Sequence, residues 1–357
     1  MKFTETQKIA YALIKTPGIG FVKGRRLMEN ADCSDAEKFL SSARNFCSAK
    51  EYSEIKATFD VTDFEAKERL FTEKGIFSVA MTEKEYPESL LPYSDMPIIL
   101  FCKGDVNLLN TESFAVVGTR YPTRYGRRVT EDFVTALSER FCIVSGLARG
   151  VDACAHRAAL DAGGKTVAVM GCGPDIVYPS ENYALYRDIE NYGLIVSEYE
   201  PTTPVNAHNF PARNRIISGL SRGVLVTEAG LKSGTMLTIN SALKQGKDVY
   251  CVPGAIYNET SGGCNRSIRE CQTRAVLSVN DIYEDMGISK ETFSPPSALQ
   301  LDVNENAVLE LLKREGESHF EEILPVTDLT VAQLSALLFK MEVAGLIYKT
   351  KQNYWSV

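Results

Sequence analysis

Glycine and arginine stand together after an apolar run near the middle of the chain, in Gly118-Thr119-Arg120. Glycine lets a ligand approach the backbone, a helix that starts here offers free N–H groups to a phosphate, and Arg120 adds a bidentate donor. An ordinary basic helix start is the alternative. Arginine at a helix N-terminus opposes the helix dipole, which favours an anionic ligand. Three more arginines follow with no acid among them: Arg124, Arg127 and Arg128.

Two other loops repeat this combination of small residues and a cation. One is Ser145-Gly146-Leu147-Ala148-Arg149-Gly150, and the other is Lys232-Ser233-Gly234-Thr235. Each follows an apolar run and precedes a helical stretch, so each is a candidate phosphate-binding loop. None of these loops is a G-x-G-x-x-G motif with a ribose-binding acid, so a dinucleotide site is a weak hypothesis and we expect no cofactor.

The stretch 201–227 contains three arginines and no Asp or Glu, in a chain of net charge −7. It includes Phe210, Arg213, Asn214 and Arg215. Phe210 either packs in the core or stacks on a base, which is worth ~1–3 kcal/mol per base. Several anion-binding loops with an aromatic side chain suit an extended polyanion better than a single mononucleotide. A basic track with stacking faces is typical of single-strand binding.

Two patterns imitate catalytic motifs. Gly164-Lys165-Thr166 resembles the end of a phosphate-binding P-loop, but it lacks the first glycine and precedes a strand rather than a helix. His156 lies four residues after Asp152, which favours a structural helix pair, since no nucleophile is near in sequence. The nine cysteines form no C-x-x-C and no zinc spacing. We therefore predict no catalytic residue and no metal site.

The elements that position these loops alternate between strand and helix, which predicts an α/β fold with an extended Rossmann-like parallel sheet. Ligands of such sheets bind at the carboxyl ends of the strands. Predicted helices include 127–139, 150–162 and 234–245. The predicted strands are Ile98–Phe101, Phe114–Val117, Phe141–Val144, Thr166–Met170, Leu194–Val196, Val224–Thr227 and Asp248–Val252.

The composition predicts four segments along the 357 residues. Residues 1–70 form a helical SAM-like or helix-hairpin-helix-like domain, in which Thr16–Gly20 is either a ligand-binding hairpin or a plain turn. Residues 71–288 form the Rossmann-like domain. Residues 289–303 are a linker around Pro295-Pro296, and 304–357 form a winged-helix-like domain of helices and a hairpin. Residues 303–357 carry five Lys or Arg and eight acids, which argues against a DNA-reading role there.

The chain has no apolar run of 18 residues and no secretory signal at its N-terminus, so we expect no membrane insertion. An odd number of scattered cysteines suits free thiols in a reducing cytoplasm. The net charge of −7 argues mildly against a protein that binds nucleic acid over its whole surface. Because salt screens the field of distant surface charges, this net charge is compatible with a local basic groove.

Seven strings between Val116 and Ile256 resemble the DNA-processing protein A (DprA/Smf) family. They are VVGTRYPTRYG, VSGLARGVDACAH, AVMGCGPDIVYP, SEYEP, NFPARNRIISGLS, TEAGLKSGTMLT and CVPGAI. The resemblance implies a homodimeric, non-enzymatic protein that binds single-stranded DNA, protects it on entry and loads the RecA recombinase during natural transformation. The DNA contacts that it implies map onto four groups of residues in this chain: Gly118, Thr119 and Arg120; Ser145, Gly146, Leu147, Ala148 and Gly150; Phe210, Arg213, Asn214 and Arg215; Lys232, Ser233 and Gly234.

The sequence departs from the family at two places. Ala207 stands where some members have a basic residue, which weakens one expected phosphate contact. Cys271-Gln272 stands where a Gly-Ala pair is usual, and we assign it to a packing position.

Two other functions remain as alternatives. A Rossmann-like nucleotide phosphoribohydrolase of the lysine-decarboxylase-like type would need a glutamate in the loop around Gly234, and Gly234–Thr238 contains no acid. A transcriptional regulator would use the winged-helix-like tail to read DNA, but the acidic balance of this tail favours a role in protein contacts or in tuning the dimer.

Overall fold

The structure is a computed structural model that describes residues 2–288, 302–343 and 346–356. The chain divides into two compact units, residues 1–288 and 289–357. No single helix among the described residues is long and apolar enough to cross a membrane, and one bent pair, Phe320–Val326 with Val331–Glu342, passes by length and composition only.

The first unit begins with five short helices. They are α1 (Glu5–Lys15), α2 (Phe21–Asn30), α3 (Ala36–Ala43), α4 (Ala49–Val61) and α5 (Phe64–Glu73). Capping boxes at Thr4 and Ser48 satisfy the first N–H groups of α1 and α4. Phe71 of α5 packs edge-on against Phe101, with ring centroids 5.6 Å apart, so the helices share a hydrophobic core with the following sheet. The predicted boundary at residue 70 stays a prediction.

A nine-stranded sheet follows. Its strands are β1 (Phe77–Ala80), β2 (Ile99–Gly104), β3 (Ser113–Val117), β4 (Cys142–Ser145), β5 (Thr166–Met170), β6 (Leu194–Ser197), β7 (Gly223–Val226), β8 (Asp248–Cys251) and β9 (Arg274–Ala275). Their order is β1-β2-β6-β5-β4-β3-β7-β8-β9, and β3 to β9 run parallel. The predicted Rossmann-like class is confirmed; β1 and β2 are added antiparallel at one edge.

Seven helices connect and cover the strands. They are α6 (Arg124–Leu137), α7 (Val151–Asp161), α8 (Tyr183–Tyr192), α9 (Asn209–Leu220), α10 (Thr235–Lys244), α11 (Gly262–Arg269) and α12 (Val279–Asp285). The chain runs outward from β3 through β4, β5 and β6 and then crosses back to β7 on the other side of β3, so the strand order reverses between the neighbouring strands β3 and β7. Such a switch point opens a crevice at the carboxyl ends of its strands, here between the loops after Val117 and Val226.

The second unit matches the predicted winged-helix-like order. It contains α13 (Val303–Glu315), β10 (Ser318–His319), α14 (Phe320–Ile323), α15 (Val331–Val343), β11 (Tyr348–Lys351) and β12 (Tyr354–Ser356), with sheet order β10-β12-β11. Most of the predicted linker, 289–301, lies outside the described residues. Asp302 and Val303 belong to the second unit instead, because the Asp302 side chain caps α13.

Cys271 occupies a turn rather than the predicted packing position. Its side chain is exposed and its φ is +54°, in the left-handed region that favours glycine. The N–H of Cys271 bonds to the carbonyl of Ile268, and the N–H of Gln272 bonds to that of Ser267. This pair of bonds is a Schellman motif that ends α11, and the family's usual glycine fits the same backbone requirement.

We expect Cys271→Gly to raise the free energy of unfolding by about 0.5–1 kcal/mol, because relief of the left-handed strain exceeds the entropy that glycine adds to the unfolded chain. Urea unfolding measures this change. Glu270→Gly is the matched control, since Glu270 has a φ of −81° and gains nothing from glycine. An unchanged or lower midpoint for Cys271→Gly would contradict the assignment.

Candidate nucleic-acid interface

A cleft of about 1100 Å³ opens at the switch point between β3 and β7. The loop after β3 and the loop after β7 form two of its walls, and the first turns of α9 and the segment around Tyr257 form the others. Ten of the sequence-predicted residues line it: Gly118, Thr119, Arg120, Ala148, Phe210, Arg213, Asn214, Lys232, Ser233 and Gly234. Five predicted residues do not: Ser145, Gly146, Leu147, Gly150 and Arg215.

Two cations, Arg120 and Lys232, stand exposed on the two loops. Neither has an ion pair among the described residues, whereas many other arginines of this unit do, including Arg149 with Glu181 at 2.5 Å. Gly234, at the start of α10, has open space where a side chain would stand, so a ligand can approach its backbone. These groups are arranged to hold an anion from both sides of the cleft.

Glu228 fixes the loop that carries Arg120. Its carboxylate accepts hydrogen bonds from the Thr123 N–H at 2.8 Å, from the Thr123 hydroxyl and from the Thr260 hydroxyl, and its backbone carbonyl accepts from the Thr119 N–H at 2.7 Å. A Cβ at Gly126 would collide with this carboxylate. Glu228 is 1% exposed and does not line the cleft. The sequence analysis missed it, although it ends the acid-free stretch 201–227.

Three N–H groups of the loop 145–150 have hydrogen-bond partners within the protein, so the structure does not present Gly146 and Leu147 as free phosphate donors. The Asp152 carboxylate accepts hydrogen bonds from the N–H groups of Gly146 (3.2 Å) and Ala148 (3.4 Å). The intervening N–H, of Leu147, donates to Nε2 of His156 at 3.3 Å. Because the protein itself occupies these three donors, they are unavailable to a ligand.

Ser145 and Gly150, the other two predicted residues of this loop that do not line the cleft, also contact other parts of the protein. Ser145 is buried and its hydroxyl donates to the carbonyl of Val116 at 2.7 Å. Gly150 has a φ of +77°, and a Cβ there would collide with the backbone of Thr119 and Arg120. Gly150 therefore packs against the backbone of the loop that carries Arg120 and does not face the cleft.

The two predicted arginines of α9 also have internal partners. Arg213 is 3% exposed on the floor of the cleft, and its guanidinium donates to the carbonyls of Gly146 (2.8 Å) and Val169. Arg215 bonds to the buried carboxylate of Glu198 at 2.7 Å and lies over the ring of Phe21 at 5.0 Å. Arg215 is thus neutralised outside the cleft, and Arg213 binds the ends of β4 and β5 together.

Burial sets the protonation of the two acid–base groups beneath the loop. It lowers the pKa of His156 to about 3, with the nearby Arg213 charge acting in the same direction. The neutral ring accepts at Nε2, so Nδ1 carries the proton and donates to the Thr166 hydroxyl at 2.6 Å. Burial also raises the pKa of Asp152, against the opposing effect of Arg213. The predicted structural role of this pair agrees with these contacts.

Three tyrosines that the sequence analysis did not select line the cleft. Tyr121 is 72% exposed, Tyr257 is 94% exposed, and Tyr178 packs beside Phe210 with ring centroids 5.3 Å apart. Phe210 is half-buried over Gly171, so it has both a packing contact and a face on the cleft. Their positions in the sequence could have indicated this, because Tyr121 and Tyr257 lie in the loops after β3 and β8, at the same edge of the sheet.

The described residues contain no cluster of three or more His, Cys, Asp or Glu side chains that could hold a metal ion. The acids that line the cleft are Asp152, already bonded to the loop N–H groups, and the exposed Glu259. The geometry therefore offers two cations, several aromatic faces and backbone donors, which can hold a phosphate chain and its bases.

Comparison with known proteins identifies relatives of this chain. The family model for DNA recombination-mediator protein A matches residues 78–287. The DNA processing protein DprA of Streptococcus pneumoniae is 44% identical over 208 residues, which are 58% of this chain and 73% of that protein. A crystal structure of DprA from that species superposes with a TM-score of 0.68 at 33% identity, covering 80% of this chain and 99% of the other.

A second solved structure concerns the single-stranded DNA binding mode of DNA processing protein A from Helicobacter pylori. It superposes with a TM-score of 0.54 at 31% identity and covers 59% of this chain and 95% of that one.

The buried His156 makes stability depend on pH. Its pKa is about 3 in the folded chain and about 6.5 when unfolded, so below pH 6.5 the unfolded chain binds a proton that the folded chain excludes. Stability therefore falls as the pH drops from 6.5 toward 3, by about 1.4 kcal/mol per pH unit for this residue. Urea unfolding between pH 6.5 and 5 should show this slope in the wild type and lose it in His156→Gln. His208→Gln, at an exposed histidine, should keep the wild-type slope, and an equal slope in all three proteins would refute the assignment.

Proposed function

This chain belongs to the DNA recombination-mediator protein A family, and from that premise we propose that it binds single-stranded DNA in the switch-point cleft. The observation that carries the proposal is the placement of two exposed cations, Arg120 and Lys232, which have no ion pair among the described residues, on two loops of one cleft whose walls hold exposed aromatic rings. The H. pylori relative, whose structure concerns a single-stranded DNA binding mode, supports the same ligand.

The proposed binding mode assigns phosphates to Arg120, Lys232 and the open backbone at Gly234. Bases stack on Tyr121, Tyr257 and the outer face of the Phe210–Tyr178 pair. Because every base has a stacking face and the phosphates carry no sequence information, this mode is sequence-tolerant. A paired duplex hides its base faces, so the same contacts favour a single strand.

We further propose the physiological role that the family implies. A homodimer in the cytoplasm protects single-stranded DNA that enters during natural transformation and loads RecA on it. The test is RecA filament assembly on DNA coated with single-strand-binding protein, followed by the ATPase activity of RecA. Acceleration by the wild-type chain, but not by a variant that cannot bind DNA, is the expected result. Sedimentation equilibrium tests the dimer.

We also propose that the cleft is not a hydrolase site. Glu228, the glutamate that precedes this loop in the sequence, is buried and accepts hydrogen bonds from Thr123 and Thr260, so it does not line the cleft, and the glutamate that does, Glu259, is exposed to solvent. Incubation with AMP should release no adenine. Release of adenine that is lost on mutation of a cleft residue would revive the phosphoribohydrolase alternative.

Arg120→Ala and Lys232→Ala should each weaken binding of an oligo-dT strand about five- to tenfold and reduce the slope of log K against log salt by about 0.7, the value for one lost single-strand phosphate contact. Fluorescence anisotropy over a salt series measures both quantities. Arg187→Ala, an exposed arginine of α8 outside the cleft, is the control. Folded variants with wild-type affinity and slope would disprove the site.

Tyr257→Ala should lose ~1–3 kcal/mol of binding free energy because a stacking face is removed, whereas Tyr257→Phe should bind as the wild type does. The salt slope should not change in either variant, since no charge is lost. This combination separates stacking from phosphate contacts. Equal losses in Tyr257→Ala and Tyr257→Phe would instead point to the hydroxyl.

A further inference from the structure

The second unit carries a groove of about 480 Å³ between α15 and the β11–β12 hairpin. Its lining is His319, Phe320, Glu321, Val331, Ser335, Phe339, Glu342, Lys349, Asn353 and Trp355. In a winged-helix arrangement this helix and hairpin are the elements that would read DNA. Their exposed side chains therefore indicate what the unit can bind.

The outer face of α15 is apolar. Val331 and Phe339 are 60% and 69% exposed, and Ser335 lies between them at helical spacing. Exposing a large aromatic side chain in water is unfavourable, and an exposed apolar surface rimmed by polar groups is typical of a protein-binding site. Phe339 is the largest exposed apolar side chain of the groove.

Of the three lysines near the groove, two form ion pairs and one lies over an aromatic ring. Lys340 of α15 bonds to Glu305 at 2.8 Å, and Lys351 of the hairpin pairs with Glu317 at 3.5 Å. Lys349 lies over the Trp355 ring at 5.3 Å. By contrast, Glu342 has no ion pair among the described residues, and Glu321 has only His319, at 4.0 Å. The groove lining therefore carries two carboxylates, Glu321 and Glu342, against one lysine, Lys349, that has no ion pair among the described residues, and this balance favours a cationic partner over phosphates.

The Trp355 side chain adds an unsatisfied donor to the groove wall. It is 7% exposed, and its indole N–H has no acceptor among the described residues. A buried donor without a partner is unfavourable by about 1–3 kcal/mol.

We propose that this groove docks a segment of a partner protein that presents a large apolar side chain flanked by Lys or Arg. The apolar anchor packs on Phe339 and Val331, and the basic flank pairs with Glu321 and Glu342. This interaction is separate from the switch-point cleft, so it does not rest on the proposed DNA function.

Trp355 is the only tryptophan of the chain, so its emission reports on the groove within the full-length protein. The probes are synthetic peptides of about 12 residues with one Leu-Phe anchor and flanks of Lys, Gln or Glu. The Lys-flanked peptide should shift the emission saturably and bind at least about tenfold more tightly than the Glu-flanked peptide. Raised salt should reduce this preference.

Two variants test the two parts of the proposal. Phe339→Ser should abolish the emission shift, while Val303→Ser, at a still more exposed apolar residue of α13, should leave it unchanged. Glu342→Lys should weaken the binding of the Lys-flanked peptide and strengthen the binding of the Glu-flanked peptide. Because both positions are exposed, neither change removes core packing.

Three results would overturn the proposal. The first is no binding of the Lys-flanked peptide at millimolar concentration, and the second is equal binding of all three flanks. The third is an emission shift on addition of duplex DNA that Lys349→Ala removes, which would assign the groove to nucleic acid. Oligo-dT binding in the switch-point cleft, followed by anisotropy, is independent of each result.

Discussion

The cleft depends on a buried carboxylate, that of Glu228. A carboxylate in the interior is tolerated only when hydrogen bonds replace its hydration. Here the donors are the Thr123 amide, the Thr123 hydroxyl and the Thr260 hydroxyl, which come from separate segments around the cleft. Satisfying this one group therefore fixes the start of α6, the loop after β3 and the loop before α11 relative to the end of β7. Thr235 adds a bond to the Gly118 carbonyl, which joins the two cation-bearing loops.

A second buried layer lies beside it. Asp152 and His156 occupy the N–H groups of the loop after β4, and Arg213 occupies the carbonyls of Gly146 and Val169. Together they satisfy the polar backbone groups of this sheet edge from within the protein. The polar groups of the first unit thus divide into an inner set that bonds to the backbone and an outer set, including Arg120 and Lys232, that faces solvent. Electrostatic preorganisation of this kind lets a ligand bind with little reordering of the protein.

The second unit has the opposite surface chemistry. Its helix α15 exposes Phe339 and keeps its lysine in an ion pair with Glu305, whereas the switch-point cleft exposes cations. One chain therefore presents a cleft with exposed cations in one unit and an apolar groove with carboxylates at its rim in the other. The two surfaces suit different classes of ligand, a polyanion and a basic protein segment.

The sequence by itself determined the parallel-sheet class and seven of the nine strands of this sheet, because apolar runs alternating with helical stretches permit few other arrangements, whereas the short edge strands β1 and β9 and the switch point came from the structure. The sequence also indicated that Arg120, Lys232 and Gly234 lie in loops after strands, and the structure places all three on the walls of one cleft. Only the tertiary structure decided which polar residues face the cleft. Arg213 and Arg215 look like their exposed counterparts in the sequence, but α9 turns them toward the carbonyl of Gly146 and the carboxylate of Glu198. Tyr257 and Glu228 were missed for the same reason: whether a side chain meets solvent or a buried partner depends on contacts between segments far apart in the chain.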